Sequence, residues 1–191
     1  TGIETYSLIN YLWVDDISCQ NLELVKNISS GTRKGTLLGI IDRTVTAMGG
    51  RLLKRWIRYP LMDIHAIRSR QDAVEEAKEH IQIRRNIREN LKTVYDLERL
   101  GSKITMGHSN ARDLIALKHS LNSLPDIWSW LSHLKAELFK CHQNVDDLYE
   151  LAKLIEKAIR EDTPPTINEG GIIKTGYNSQ LDELISISRG G

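Results

Sequence analysis

Apolar residues recur at helical spacing along most of the chain, and this periodicity limits the possible folds more than any other feature. The segment from Met48 to Ile57 places one apolar stripe among basic residues. Pro60 should end this helix, because proline disfavours the helical conformation of the residue before it. We predict that the stripe belongs to the structural core. Its members are Leu52, Leu53, Trp56 and Ile57.

A second and longer helical pattern follows, and Asp63 is its predicted N-cap. The pattern permits a break near Glu79 and His80, yet it continues towards Leu97. Later helical patterns are each set off by capping residues or by prolines. They follow Ser109 and Asn110, follow Pro125, run from Val145 to Ile159 and resume at Gln180.

Strand signals are few. Tyr11 to Val14 and Leu22 to Val25 are short and largely apolar. Thr166 to Asn178 surrounds two isoleucines with glycines, a pattern typical of a small extended segment with turns. The predicted fold is therefore all-α, a multi-helix domain with a few short β-strands near the N-terminus and around 166–178.

The formal net charge of +1 conceals an uneven distribution of charge. Between positions 33 and 58 seven basic residues face a single acid, Asp42, whereas acids exceed bases from Glu137 to Glu183. A basic segment can contact nucleic-acid phosphates, and it can equally be a solvated helix face or pair with the acidic region. The DNA-contact candidates are Arg51, Lys54 and Arg55.

Residue patterns that carry catalysis or bind cofactors do not stand out. The Gly31 to Thr36 segment departs from the spacing of a phosphate-binding loop, and the six histidines contain no paired metal-ligand motif. We therefore predict no catalytic, cofactor-binding or metal-ligating residue and no enzyme. No apolar run has the roughly 18 residues of a membrane helix and no secretion signal opens the chain, so a cytoplasmic location is expected.

The order of several short motifs resembles the core domain of MutS-type DNA mismatch repair proteins, in the bacterial form. The matching segments extend over essentially the whole chain. They include Val14-Asp15-Asp16, Gln20 to Leu24, Gly35 to Thr44, Thr46 to Gly49, Arg51 to Trp56, Pro60-Leu61, Arg70 to Val74, Asp96 to Leu100, Asp113-Leu114, Leu121 to Pro125, Glu169 to Ile173, Gly176 to Asn178 and Leu181 to Leu184.

The resemblance implies a particular part of such a protein. Residues 1–10 would end a connector, and residues 11–191 would form the core or lever domain, domain III, cut where a lever helix leads to the DNA clamp. Neither a Phe-x-Glu mismatch wedge nor a Walker A motif occurs in the sequence. The ATPase, with its ATP and Mg²⁺, would therefore lie elsewhere in the parent protein.

By the same resemblance, the expected function is noncatalytic transmission of conformational change between the ATPase and the DNA-binding clamp and mismatch domains. The expected partners are mismatched duplex DNA (through the full-length protein), the other MutS domains, a second parent subunit and MutL, without a membrane. The expected location is the bacterial cytoplasm, in association with the nucleoid. Two alternatives stay open: a nucleic-acid-binding helical module that uses residues 33–58, and a free-standing helical adaptor.

Overall fold

The computed structural model describes residues 11–146 and 148–190, with the side chains of 141–144, 189 and 190 left aside. The connector predicted for residues 1–10 lies outside this range, so it stays a prediction. Helices dominate, as the periodicity predicted. They are α1 (Asp16–Asn21), α2 (Leu37–Ile41), α3 (Ala47–Arg58), α4 (Ile64–Glu79), α5 (Ile81–Leu91), α6 (Leu97–Thr105), α7 (Ala111–Asn122), α8 (Leu124–Leu131), α9 (Tyr149–Ala158) and α10 (Ser179–Gly190). Two 3₁₀ segments span Glu137–Asn144 and Ile167–Glu169.

The helix boundaries follow local capping chemistry. Asp63 accepts a hydrogen bond from the amide of Ala66 at 2.6 Å, which confirms the predicted N-cap of α4. Asn110 and Asp113 form a reciprocal capping box at the start of α7. The long second helix is broken at His80, whose ψ of 61° is not helical, and its extension towards Leu97 was wrong because α5 ends at Leu91.

The predicted short strands are reduced to two isolated antiparallel bridges within the described residues. One pairs Tyr11 with Leu61, and the other pairs Ile159 with Ile173. The segment from Leu22 to Val25, predicted as extended, forms turns instead. Its carbonyl groups at Glu23 and Leu24 accept hydrogen bonds from the first turn of α2, at 3.2 and 2.9 Å. These bonds use the backbone groups that a strand would have offered to a sheet.

The chain divides into two compact units. The first contains the described residues up to Lys92 together with Trp128–Val145, and the second contains Thr93–Ile127 with the described residues from Asp146 onward. In the first unit, the Glu76 carboxylate on α4 accepts hydrogen bonds from the amides of Lys135 and Ala136 at 2.6 and 2.7 Å. Two bonds from one side chain thus fix the backbone that leads into the first 3₁₀ segment.

The main buried cluster lies in the second unit, where α7 packs against α9. Partly buried leucines and isoleucines surround this cluster, including Ile173 from the bridge with Ile159. Its buried members are Ala111, Ile115, Ile155, Ala158 and Ile159. Small alanines beside branched isoleucines allow the two helices to approach closely and interdigitate.

The stripe on α3 is not part of such a core. Leu52 is 46% exposed, contrary to the prediction, while Leu53, Trp56 and Ile57 are half-buried. Helical periodicity shows which residues share a face, but it does not show that another part of the same chain covers that face. Among the described residues of the first unit, the buried apolar ones are instead Leu38, Ala73 and Leu134.

We expect Ile155→Ala to lower the free energy of unfolding by about 2–5 kcal/mol, because it leaves a cavity between α7 and α9. The matched control is Leu154→Ala on the same helix, where the leucine is 53% exposed and truncation should cost under about 0.5 kcal/mol. Urea unfolding followed by circular dichroism measures both. Equal losses in the two variants would contradict the assignment of this cluster as the core.

Candidate functional site

The basic segment forms one wall of a cleft in the first unit. Arg51 and Lys54 lie one helical turn apart on α3, and both line a cavity of about 510 Å³. Arg55, the third predicted DNA-contact residue, is on the same helix but not in this lining. The structure therefore brings two of the three predicted residues together.

The opposite wall comes from the loop before α2, which contributes Lys26 and Arg33. Side chains hold the loop in shape: the Glu23 carboxylate accepts hydrogen bonds from Asn27 Nδ2 at 2.7 Å and from the Ile28 amide at 2.9 Å. Gly31 turns the chain with φ of 65°, a conformation that favours glycine. Lys26 was not among the predicted contact residues, because it lies outside the basic run of 33–58.

Asp42 is the single acidic residue of the basic segment, and both of its carboxylate oxygens have partners. It accepts hydrogen bonds from the hydroxyl of Thr44 at 2.7 Å and from the Thr44 amide at 3.0 Å, and it forms an ion pair with Arg33. These bonds lower the pKa of Asp42 to about 2. Its negative charge is thus permanent at neutral pH, and it is compensated mainly by Arg33 rather than by the lysines of the cleft.

The first turn of α3 closes the cleft. Thr46 caps this helix, since its Oγ1 accepts a hydrogen bond from the Gly49 amide at 3.0 Å. Gly50 lines the cavity, and a Cβ there would meet Thr44 Oγ1 at 3.3 Å. The glycine therefore allows Thr44 to pack closely against the start of the helix.

On its other side, α3 meets α4 through an aromatic contact. The guanidinium carbon of Arg70 lies 3.7 Å from the centre of the Trp56 ring, a cation–π arrangement. Burial lowers the pKa of Arg70, although the group keeps its charge because an arginine titrates far above neutral pH. Trp56, predicted as a core anchor, thus acts as a half-buried platform for a cation.

We expect Arg70→Met to lower the free energy of unfolding by about 1 kcal/mol, because methionine retains much of the apolar contact and loses the charge on the ring. Arg68→Met, an exposed position on the same helix, is the control and should change stability by less than about 0.5 kcal/mol. Chemical unfolding at matched ionic strength measures the difference. If Arg70→Met leaves the free energy of unfolding unchanged, the contact between Arg70 and Trp56 does not stabilise the fold.

A second charged cluster ties α7 to α9 in the second unit. The Lys118 side chain is on the apolar face of α7 and is only 3% exposed as a residue. Its Nζ lies 2.5 Å from Glu156 Oε2 and 2.5 Å from Glu161 Oε2. Glu156 also binds Lys174 at 2.8 Å, and Glu161 lies 2.7 Å from His119 Nε2. We call these five residues the Lys118 network.

The electrostatics of this network favour the charged forms. Hydrogen bonds from Lys118 and Lys174 lower the pKa of Glu156 to about 2, and Lys118 likewise lowers the pKa of Glu161. Burial opposes the charge on Lys118, but its bonds to both glutamates prevail and raise its pKa. Lys118 was not predicted as a functional residue; the signal in the sequence was a charged residue within the apolar stripe of α7 that contains Ile115.

The pH dependence follows from the lowered pKa of Glu156. A carboxyl whose pKa is lower in the folded state stabilises the fold above its ordinary value of 4.5, and this contribution is lost as the pH falls towards 2. We therefore expect Glu156→Gln to flatten the decline of stability between these pH values. Glu150→Gln, on the same helix but 4.0 Å from Lys153, should leave the decline unchanged. Thermal unfolding across this range measures the slopes, and parallel slopes for Glu156→Gln and the wild type would contradict the expectation.

In the described part of the chain, no group of three or more histidine, cysteine, aspartate or glutamate side chains is placed to hold a metal ion. Among the helices of the same residues, none combines the length and apolar character needed to cross a membrane.

The fold and these two charged clusters define a mainly helical domain that carries two concentrations of charged side chains. Comparison with known families identifies the class of domain. A family model described as MutS domain III matches residues 18–188, so the chain belongs to the MutS domain III family.

Several curated proteins that are similar to this chain are named DNA mismatch repair protein MutS. The chain is 54% identical to a DNA mismatch repair protein MutS of Desulforapulum autotrophicum, over 99% of this chain and 22% of that protein. It is 47% identical to the MutS of Desulfatibacillum aliphaticivorans, over 98% and 21% respectively. The MutS of Acetivibrio thermocellus shares 45% identity over 100% of this chain and 22% of its own length. The chain thus spans about a fifth of the curated relatives it matches.

Proposed function

We propose that this chain is the noncatalytic core and lever domain of a bacterial-type MutS mismatch repair ATPase. In that role it passes conformational change between the ATPase and the domains that hold DNA. The observation that carries the proposal is the match over residues 18–188 to domain III, in relatives about five times longer than the chain. The ATP, Mg²⁺ and hydrolytic residues belong to another part of the parent protein.

The same proposal assigns the partners. The immediate partners are the other MutS domains, and mismatched duplex DNA is held through the full-length protein, which acts as a homodimer with MutL downstream in the bacterial cytoplasm at the nucleoid. Exposed apolar side chains are consistent with contacts beyond this chain. On α10, Leu184 and Ile187 lie one turn apart and are each 64% exposed.

The Lys118 network supports a mechanical role within the second unit. A buried ammonium is stable only while carboxylates accept its hydrogen bonds, so α7 cannot slide freely along α9 without losing them. Packed elements of this kind shift between discrete arrangements rather than deforming smoothly. Such a helix pair can carry a displacement from one end to the other.

The proposal is tested in the full-length protein with Lys118→Met, which keeps most of the buried volume and removes the charge. The two glutamates are each 55% exposed, so they can return to water and the fold should survive. We expect mismatch binding and basal ATP hydrolysis to persist, while the effect of ATP on mismatch affinity falls about fivefold or more. Fluorescence anisotropy of labelled mismatched duplex, with and without ATP, measures this effect.

Lys157→Met is the matched control, because Lys157 is an exposed lysine on α9, the helix against which Lys118 packs. It should retain the full response to ATP. If Lys118→Met also keeps the full response while remaining folded, the α7–α9 pair does not transmit the change. A loss of basal hydrolysis in Lys118→Met alone would place the network in catalysis, which equally contradicts a noncatalytic role.

A further inference from the structure

We propose that the cleft between the 25–33 loop and the first turns of α3 is a binding site for a phosphate group. This assignment is independent of the transmission role, since it concerns a ligand that the cleft itself recognises. It rests on three features of the lining: its charge, its hydroxyl groups and its size.

The charge of the lining is positive on two facing walls. Lys26 projects from the loop and Lys54 projects from α3. Among the residues that the structure describes, neither lysine has an acidic partner within ion-pair distance. Asp42 does not offset them, because Arg33 and Thr44 already engage it. An anion between the two lysines would therefore meet largely uncompensated positive charge.

Hydroxyl groups lie among these cations. Thr46 uses its oxygen to accept the capping bond from Gly49, so its own proton is available to an acceptor in the cleft. Ammonium groups and hydroxyls together match the several oxygen acceptors of a phosphate. The absence of a side chain at Gly50 keeps the floor of the cleft open beside Thr44.

The size of the cleft and the types of residue that line it limit the ligand further. A volume of about 510 Å³ is within the usual range for small-molecule sites, and it accepts a phosphate with an attached group. Among the described residues, those that line the cleft include no aromatic side chain on which a base could stack. Recognition is thus directed at the phosphate itself, whether it belongs to a free phosphate ester or to a nucleic-acid backbone, and is independent of base sequence.

Titration calorimetry with inorganic pyrophosphate at low ionic strength tests the site on the 191-residue chain. We expect saturable binding that weakens about tenfold or more in the double variant Lys26→Gln/Lys54→Gln. The control double variant Lys34→Gln/Lys78→Gln removes the same charge from exposed positions of the first unit outside the cleft, and it should bind like the wild type. Circular dichroism melting confirms that each variant is folded.

Two outcomes would contradict a phosphate site in the cleft. No saturable binding by the wild type, or the same weakening in both double variants, would overturn the proposal, because the charge would then act only as a diffuse field. A short DNA duplex identifies the source of the phosphate. Duplex binding that pyrophosphate displaces and that depends on Lys26 and Lys54 assigns a DNA backbone, whereas pyrophosphate binding without duplex binding assigns a free phosphate ester.

Discussion

The buried ammonium of Lys118 is the interaction on which the second unit depends most. A lysine almost fully removed from water is tolerated only when carboxylates replace its hydration, and here two glutamates do so at 2.5 Å each. One glutamate is on α9 and the other follows it, so the requirement of one side chain fixes the position of two segments against α7. The apolar cluster around Ile115 and Ile155 supplies the stability, and the charged contact supplies the register.

The network reaches further through Lys174, which bonds both the carboxylate and the backbone carbonyl of Glu156, at 2.8 and 2.5 Å. The Lys174 amide also donates to the Ala158 carbonyl, and Ile159 and Ile173 form a bridge beside it. The glycine-containing segment after α9 is thereby attached to the helix that precedes it. A loop that would otherwise move independently becomes part of the α7–α9 body.

Local chemistry explains what could be predicted from the sequence. Asp63 and Asn110 cap their helices through hydrogen bonds to residues three positions further along the chain. Their roles could therefore be predicted from the local sequence. Lys118 was not readable in this way, because its glutamates are 38 and 43 residues away. The exposure of Leu52 was missed for a related reason, since a periodic stripe carries no information about the surface that covers it. The family match, by contrast, followed from the order of many short motifs.

The charged residues of the chain thus act in two different ways, in the Lys118 network and in the cleft. In the Lys118 network, charges of opposite sign are in direct contact and the ammonium is shielded from water, so dissolved salt can screen it only weakly. In the cleft, Lys26 and Lys54 are exposed to solvent, so dissolved salt screens them effectively. Raising the ionic strength should therefore weaken any anion held in the cleft long before it loosens α7 from α9. The response to ionic strength therefore distinguishes charges that stabilise the fold from charges that bind a ligand, within one nearly neutral chain.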